Sequence, residues 1–289
     1  MAKARELKRR IRSVESTRKI TKTMEMVATS KLKRASDRVA AARPYAAALA
    51  EVIGELYDPA LAERFPLLRQ PTGGVKRVAV VLLTSNRGLC GAFNANLIKE
   101  ARRRLAALEA EGASVELHLS GRKGATFFKF TKRAIASQRI DIGDKPTPVH
   151  ASEIVGALMK RFAAGELDAV EVVFAKFNSA VSTPATALRI LPVTPPAVGA
   201  KKTTNYLLSP SAEAIVGQLL PLYVENQVFR ALVETAAAEH GARRTAMKNA
   251  TDSASDMLDL LRRTYNRARQ AQITQELAEI VGGAEALAG

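Results

Sequence analysis

The segment with the strongest claim to chemistry is 84–94, Thr84-Ser85-Asn86-Arg87-Gly88-Leu89-Cys90-Gly91-Ala92-Phe93-Asn94, a glycine-bearing turn between a strand-like run and a helix-like one. Phosphate-binding loops occupy that position, where backbone N–H groups and a helix N-terminus favour anions. The spacing matches neither GxGxxG nor GxxxxGK followed by serine or threonine, and no lysine follows the second glycine. The segment therefore reads as a tight strand-to-helix turn in which Gly88 and Gly91 permit close packing. His118, His150 and His240 are scattered, with no i, i+4 pair and no neighbouring cysteine, so no metal site is expected. Asp141 and Asp144 flank a glycine in a loop and read as a solvated turn rather than an acid/base pair. Cys90 is the chain's one cysteine; it cannot close an internal disulfide, which fits a reducing compartment, and a buried thiol is its usual fate. No nucleophile, base and orienter come together in this reading. The expectation is a chain that is not itself an enzyme and holds no cofactor.

The elements around that turn fall into two kinds. From Leu7 onward, alternating steps of four and three pick out Leu7, Ile11, Val14, Arg18, Thr21, Glu25, Ala28, Leu32, Ala35, Val39, Ala42, Ala46, Leu49, Ile53 and Leu56, a coiled-coil seam with one polar interruption. Ile20, Met24 and Val27 lie on a neighbouring stripe at the interruption, and Pro44 removes one backbone donor from the helix. From 75 the period changes. The run 77–84 is β-branched and leucine-rich, as in a buried parallel strand. It is followed by a helix at 94–110, a strand at 115–119, a helix at 122–130, a strand at 134–140, a helix at 151–164 and a strand at 169–177. Strands interleaved with helices imply a mostly parallel sheet, with 186–191 as an edge strand before a proline-rich connector.

Ser209-Pro210 reads as the N-cap and first residue of a last helix. Beyond Pro221 there is no further proline, so this helix extends for about 60 residues or more, on the order of 90 Å. Its seam includes Ala254, Leu258, Leu261, Tyr265 and Ala268, then, after a polar break, Ile273, Leu277, Ile280, Ala284 and Leu287. A helix that long cannot pack on a small domain alone. The reading is α/β plus α: a long antiparallel coiled coil of the N- and C-terminal helices with a central Rossmann-like α/β domain. The segments are a helix at 1–58, an α/β domain at 75–197 and a helix at 209–287 whose tip overhangs its shorter partner.

Composition and charge narrow the partners. With 47% hydrophobic and 25% charged residues the chain is not disordered by composition. No apolar run reaches the roughly 18 residues a membrane span needs. Residues 1–12 are basic without an apolar core, so neither a secretory signal nor, since the helical pattern starts at once, a transit peptide is expected. Of a net charge of +16, an excess of ten lies in residues 1–43, with 14 Lys or Arg against 4 Asp or Glu. Such asymmetry calls for nucleic acid, anionic lipid or an acidic protein surface. Residues 1–44 contain no aromatic residue for base stacking, and an apolar seam runs through the basic stretch. An acidic protein collar fits better than nucleic acid.

Two segments then carry a family resemblance. Residues 11–28, IRSVESTRKITKTMEMVA, resemble the start of the ATP synthase gamma family, and 273–286, ITQELAEIVGGAEA, is similar to its carboxyl-terminal signature. The segment 243–252, RRTAMKNATD, and the Gly88-Leu89-Cys90-Gly91 turn are similar to family segments too. The resemblance covers the whole chain. It implies the central stalk of an F-type ATP synthase, a coiled coil inside a ring of alpha and beta subunits and an α/β foot on the epsilon subunit and the membrane c-ring. It implies no catalysis by the chain itself, no nucleic-acid partner, and a peripheral place on the cytoplasmic side of the cell inner membrane. Residue by residue, Met24 and Arg243 match positions facing the acidic region of the catalytic subunits, and Gln270, Thr274 and Glu276 match positions that engage the ring and its sleeve. Tyr206 and Leu208 match foot positions near epsilon and the c-ring, although relatives often have an aromatic at the latter. Plant relatives carry an inserted cysteine pair as a redox switch, which a chain with one cysteine should lack.

Overall fold

In the computed structural model, residues 2–56, 64–71, 74–194 and 211–288 are described. Ser209, Pro210, Tyr206 and Leu208 lie outside them. The elements in chain order are α1 (Ala2–Leu56), β1 (Arg77–Leu83), α2 (Phe93–Ala110), β2 (Ser114–Ser120), α3 (Arg122–Phe130), β3 (Ser137–Arg139), α4 (Pro148–Ala163), β4 (Ala169–Ala175), β5 (Ala185–Leu191) and α5 (Ala212–Ala288). α1 runs through Pro44 and α5 through Pro221. Ser211 precedes α5, and its Oγ accepts a hydrogen bond from the Ala214 N–H at 3.2 Å, the bond an N-cap side chain makes.

The chain divides into two compact units, Met1–Ala28 with Arg244–Gly289, and Thr29–Arg243. The first, which we call the helical unit, is made from α1 and α5 alone. Thr251 Oγ1 donates to Thr21 Oγ1 at 2.8 Å, and Arg262 pairs with Glu15 at 3.9 Å. Rising numbers on one helix meet falling numbers on the other, so the two are antiparallel. The seam read from spacing is the buried face here: Thr21, Ala28, Ala254 and Leu258 are buried, and Leu7, Ile11, Val14, Leu261, Tyr265 and Ala268 half-buried. Thr21, the polar break in that seam, also donates to the Arg18 carbonyl at 3.1 Å. A hydroxyl so paired can sit in a seam without an unmet hydrogen bond.

The second unit is the α/β unit. Its five-stranded sheet has the order β3-β2-β1-β4-β5, parallel except for the antiparallel edge strand β5. β1 and β4 are central, and all their residues but Arg77 are buried, as expected of strands covered on both faces. Alternation along β1 sends Val78, Val80 and Leu82 to one core with α2 and α3, and Ala79, Val81 and Leu83 to another with α4. The long helices contribute to both: Leu32, Ala35 and Val39 with Val233 and Ala237 in the first core, Leu49 and Ile53 with Val216 and Leu220 in the second. The pairing of α1 with α5 is again antiparallel. α5 also closes the end of β4, since Glu234 accepts from the Phe177 N–H at 3.0 Å. Within buried β4, Glu171 is held by Arg104 of α2 at 2.5 Å and by Arg189 of β5 at 3.0 Å.

β3 is three residues long where seven were expected at 134–140. As the outermost parallel strand it bonds β2 alone.

Candidate functional site

In the α/β unit, the 84–94 turn is held by hydrogen bonds from its own polar side chains. The Ser85 N–H donates to Asn94 Oδ1 at 3.1 Å, Asn94 Nδ2 lies 3.2 Å from Cys90 Sγ, and Asn86 Nδ2 donates to the Ile142 carbonyl at 2.8 Å. The first N–H groups of α3, those an anion would claim, are taken as well. Arg122 N donates to Asn86 Oδ1 at 2.9 Å, Lys123 N to the Ser85 carbonyl at 3.1 Å and Gly124 N to Thr84 Oγ1 at 3.0 Å. The turn is spent on its own architecture, which supports its reading as a structural turn. The glycine reading needs correction in detail. A side chain at Gly88 would meet only the end of Lys123 at 3.6 Å, whereas Gly91 is needed for its φ of +58°. The tightest approach is at Gly121, with φ +103° and space for a Cβ only 2.1 Å from the Thr84 carbonyl oxygen.

Arg243 locks this turn from α5. Its guanidinium pairs with Glu239 one helical turn earlier at 2.5 Å and donates to the Gly88 carbonyl at 3.2 Å. Both side chains are about one-eighth exposed, at 12% and 13%. Burial raises Glu239 above the usual carboxylate range, with the Arg243 charge opposing. Cys90, 2% exposed, has its thiol pushed up by the same burial. Next to this clamp, Asp144 accepts from Lys31 of α1 and lies 3.8 Å from His240 Nε2. Burial pushes Asp144 up, but the Lys31 hydrogen bond and nearby positive charge outweigh it and hold it low. His240 is 2% exposed and burial lowers it to about 4, so it is neutral near pH 7. Asp141 pairs with Arg139 at 2.7 Å. Asp144 is thus a partly buried anchor that Lys31 reaches, whereas Asp141, 53% exposed, pairs with Arg139 in a turn that is solvated there, as spacing suggested.

In the helical unit, Met24 is half-buried, while Ile20, Met26 and Val27 beside it are 50–59% exposed. Half or more of the surface of these three side chains is therefore open to solvent in the unit. Gln270, Thr274 and Glu276 are exposed on α5, with Gln272 donating to Glu276 at 2.8 Å. Ile273, Leu277, Ile280 and Val281 are exposed by 45–68%. The expected second stretch of seam, Ile273 to Ala284, is therefore an overhang. The pairs 21/251 and 15/262 place the start of α1 opposite residues near 270, beyond which α5 has no partner among the described residues of the unit. Arg5, Lys8, Arg9, Arg10 and Arg12 are exposed too. Tyr206 and Leu208 lie outside the described residues. Sequence reasoning missed Glu239, Lys31 and the Ser85–Asn94 pair. Only Glu239 left a sequence signal, an acid four residues before an arginine in a helix.

Two long helices paired antiparallel in both units, one with a bare apolar end, together with a Rossmann-like sheet, define a stalk class of protein. A family model described as ATP synthase matches residues 3–287. The ATP synthase gamma chain of Gemmatimonas aurantiaca is 63% identical over 291 aligned positions, spanning 100% of both chains. That of Moorella thermoacetica is 46% identical, over 99% of this chain and 100% of the relative. A chain from the structure of the Tetrahymena thermophila mitochondrial ATP synthase central stalk and c-ring has a TM-score of 0.62 at 25% identity, covering 80% of this chain and 99% of that one. A chain of the Euglena gracilis mitochondrial ATP synthase matches in fold, with a TM-score of 0.70 at 19% identity over 99% of this chain and 95% of that chain. The chain belongs to the ATP synthase gamma chain family.

Proposed function

We propose that this chain is the central stalk, or rotor, subunit of an F-type ATP synthase, coupling proton-driven rotation of the c-ring to ATP synthesis in the alpha/beta head. The observation that carries this is the full-length match to ATP synthase gamma chains, on a fold whose paired helices leave an unpartnered apolar end. The chain performs no chemistry itself; the turn where a nucleotide would be sought lacks the spacing of a phosphate loop, and the first amides of α3 beside it are occupied. Work is done by differential contact. A ligand shifts an equilibrium only by as much as it binds one state better than another, and an asymmetric shaft offers each beta subunit a different face at each angle. Ile20, Met24, Met26 and Val27 on α1, and Gln270, Thr274 and Glu276 on the overhang, are the contacts proposed for the head. The exposed basic side chains of α1 suit an acidic collar.

Arg243 belongs to the same list by resemblance. Its guanidinium is engaged by Glu239 and Gly88, so we assign it the positioning of the 84–94 turn, whose Leu89 is 62% exposed, as well as any direct contact. The foot partners are the epsilon subunit and c-ring, with Tyr206 and Leu208 as contacts. Among the described residues no helix is long and apolar enough to cross a membrane, and attachment through the complex, on the cytoplasmic side of the inner membrane, is the proposed location. The test is to purify a tagged chain from its native membrane. Alpha, beta and epsilon subunits should co-purify with it in a complex that pumps protons on ATP hydrolysis; a tagged chain that comes away without them refutes the reading.

A further inference from the structure

The α/β unit contains a cavity of about 740 Å³, open to solvent, which the stalk function does not use. It lies over the carboxyl ends of β1 and β2, walled by Leu83 and Ser120 from the strands, by 140–146 after β3, and by Leu232 and Ala236 of α5. In open α/β sheets, ligands bind outside the carboxyl ends of the strands, close to where the strand order reverses. Here the order reverses at β1, which has β2 on one side and β4 on the other. The volume is that of a metabolite site, which runs roughly from 300 to 1,000 Å³.

The charges in the lining do not cancel. Three acids face the cavity, Asp141, Asp144 and Glu239, and each is already paired with a cation outside the lining, Arg139, Lys31 and Arg243 respectively. Three cations also line it, Arg87, Arg122 and Lys145. Among the described residues none of their side chains enters a hydrogen bond or ion pair, although the charge of Arg87 acts on Asp144 and helps to hold it low. A fourth donor comes from His150. Its Nδ1 accepts from the Thr147 N–H at 3.1 Å, which leaves the proton of the neutral ring on Nε2. Cations held in no ion pair at the mouth of a cleft focus potential on anions, while Leu83, Ile142 and Leu232 offer an apolar wall to the rest of a ligand.

We propose that this cavity binds a phosphorylated small molecule, its phosphate held by Arg87, Arg122 and Lys145 with His150, and its body against the apolar wall. The anion is gripped by side chains, in contrast to a phosphate loop, since the first backbone donors of α3 are occupied. The site is independent of the stalk assignment, and its test requires no other subunit.

The full-length chain is titrated with ribose 5-phosphate and, separately, with orthophosphate, followed by ³¹P NMR at fixed ionic strength. Saturable binding is expected, tighter for the sugar phosphate because its body fills more of the cavity; equal affinity would identify the free ion as the ligand, with the anion grip intact and the role of the apolar wall overturned. Arg87→Gln with Arg122→Gln should weaken binding at least about tenfold, the worth of one charge-assisted hydrogen bond. Both side chains are exposed, so this variant should melt close to the parent. Lys8→Gln with Arg9→Gln removes the same charge from the helical unit and should leave affinity unchanged. The absence of saturable binding, or an equal loss in both double variants, overturns the proposal.

Discussion

Replacing Arg243 by alanine tests whether this residue clamps the 84–94 turn, and the chain supplies its own reporter. Cys90 is the one cysteine, buried to 2% in the turn whose Gly88 carbonyl the guanidinium holds. Its reaction with a thiol reagent under native conditions therefore measures how often the turn opens. A hydrogen bond from a charged donor contributes about 1.5–3 kcal/mol when both groups are withdrawn from water. Arg243 and Glu239 are each about one-eighth exposed, so the lower end of that range applies, and about 1.5 kcal/mol corresponds to roughly a tenfold increase in opening. Two effects modify this. Without Arg243, Glu239 loses its partner, and burial, which already raises it, then favours its protonated form more strongly, which limits the loss at low pH. The Arg243 charge also lowers the Cys90 thiol against the larger effect of burial, so removing it makes the closed-state thiol less reactive, a change opposite in sign to opening.

The expected result is faster modification of Cys90 by on the order of tenfold, with the increase larger at pH 8 than at pH 5. The sign follows from Glu239. A folded-state pKa above the unfolded value means stability that is complete at low pH and falls as pH rises through the folded value, and losing Arg243 widens that fall. Adding Glu239→Gln to Arg243→Ala should return much of the protection, because no unpaired charge then remains. A rate that is unchanged or lower in Arg243→Ala would refute the clamp and leave Arg243 as a contact residue alone.

Four further outcomes are expected. Leu258, 1% exposed in the helical seam, cannot take a charge without a penalty of several kcal/mol, so Leu258→Asp should lower the melting temperature or prevent assembly, and a variant that does neither would disprove the seam. Gly121→Ala places a Cβ 2.1 Å from a backbone oxygen at φ +103°, and should destabilise the α/β unit by about 2 kcal/mol or more in urea titration. His240 is lowered from 6.5 to about 4 by burial, so its contribution is complete above pH 6.5 and lost as pH falls toward 4; His240→Gln should flatten stability against pH across that window. Met24→Lys adds a charge able to pair with a beta-subunit carboxylate at some rotor angles, a pairing of about 1–3 kcal/mol. Membrane vesicles carrying it should hydrolyse ATP yet pump fewer protons per ATP, and an unchanged ratio would reduce Met24 to packing.

What the sequence made legible was periodic, and what it hid was pairwise across distance. A 3.5-residue seam is written in local spacing, so Thr21, Ala28, Ala254 and Leu258 could be placed on buried faces before any coordinates. The overhang followed from the unequal lengths of two helical patterns. Thr21 looked like a flaw in the seam because its partner, Thr251, is 230 positions away, and no spacing rule joins the two. The same holds for Asp144 with Lys31, 113 positions apart, which made a structural anchor look like a solvated turn. Arg243 contains both cases. Its pair with Glu239 is an i, i+4 pattern on a helix and can be read from the chain, but the carbonyl it also holds, Gly88, is 155 positions away. Resemblance alone marks Arg243 as a residue that faces a partner subunit. A charge already engaged twice inside its own unit can reach a partner only by giving up one of those bonds or through the turn it fixes. Its contribution to coupling should then depend on the integrity of the turn, so that Asn94→Ala, which removes the Asn94 bonds to Ser85 and Cys90, reduces coupling in the same direction as Arg243→Ala. If Asn94→Ala speeds Cys90 modification and leaves proton pumping per ATP untouched, the two roles of Arg243 are separate, and direct contact carries the coupling.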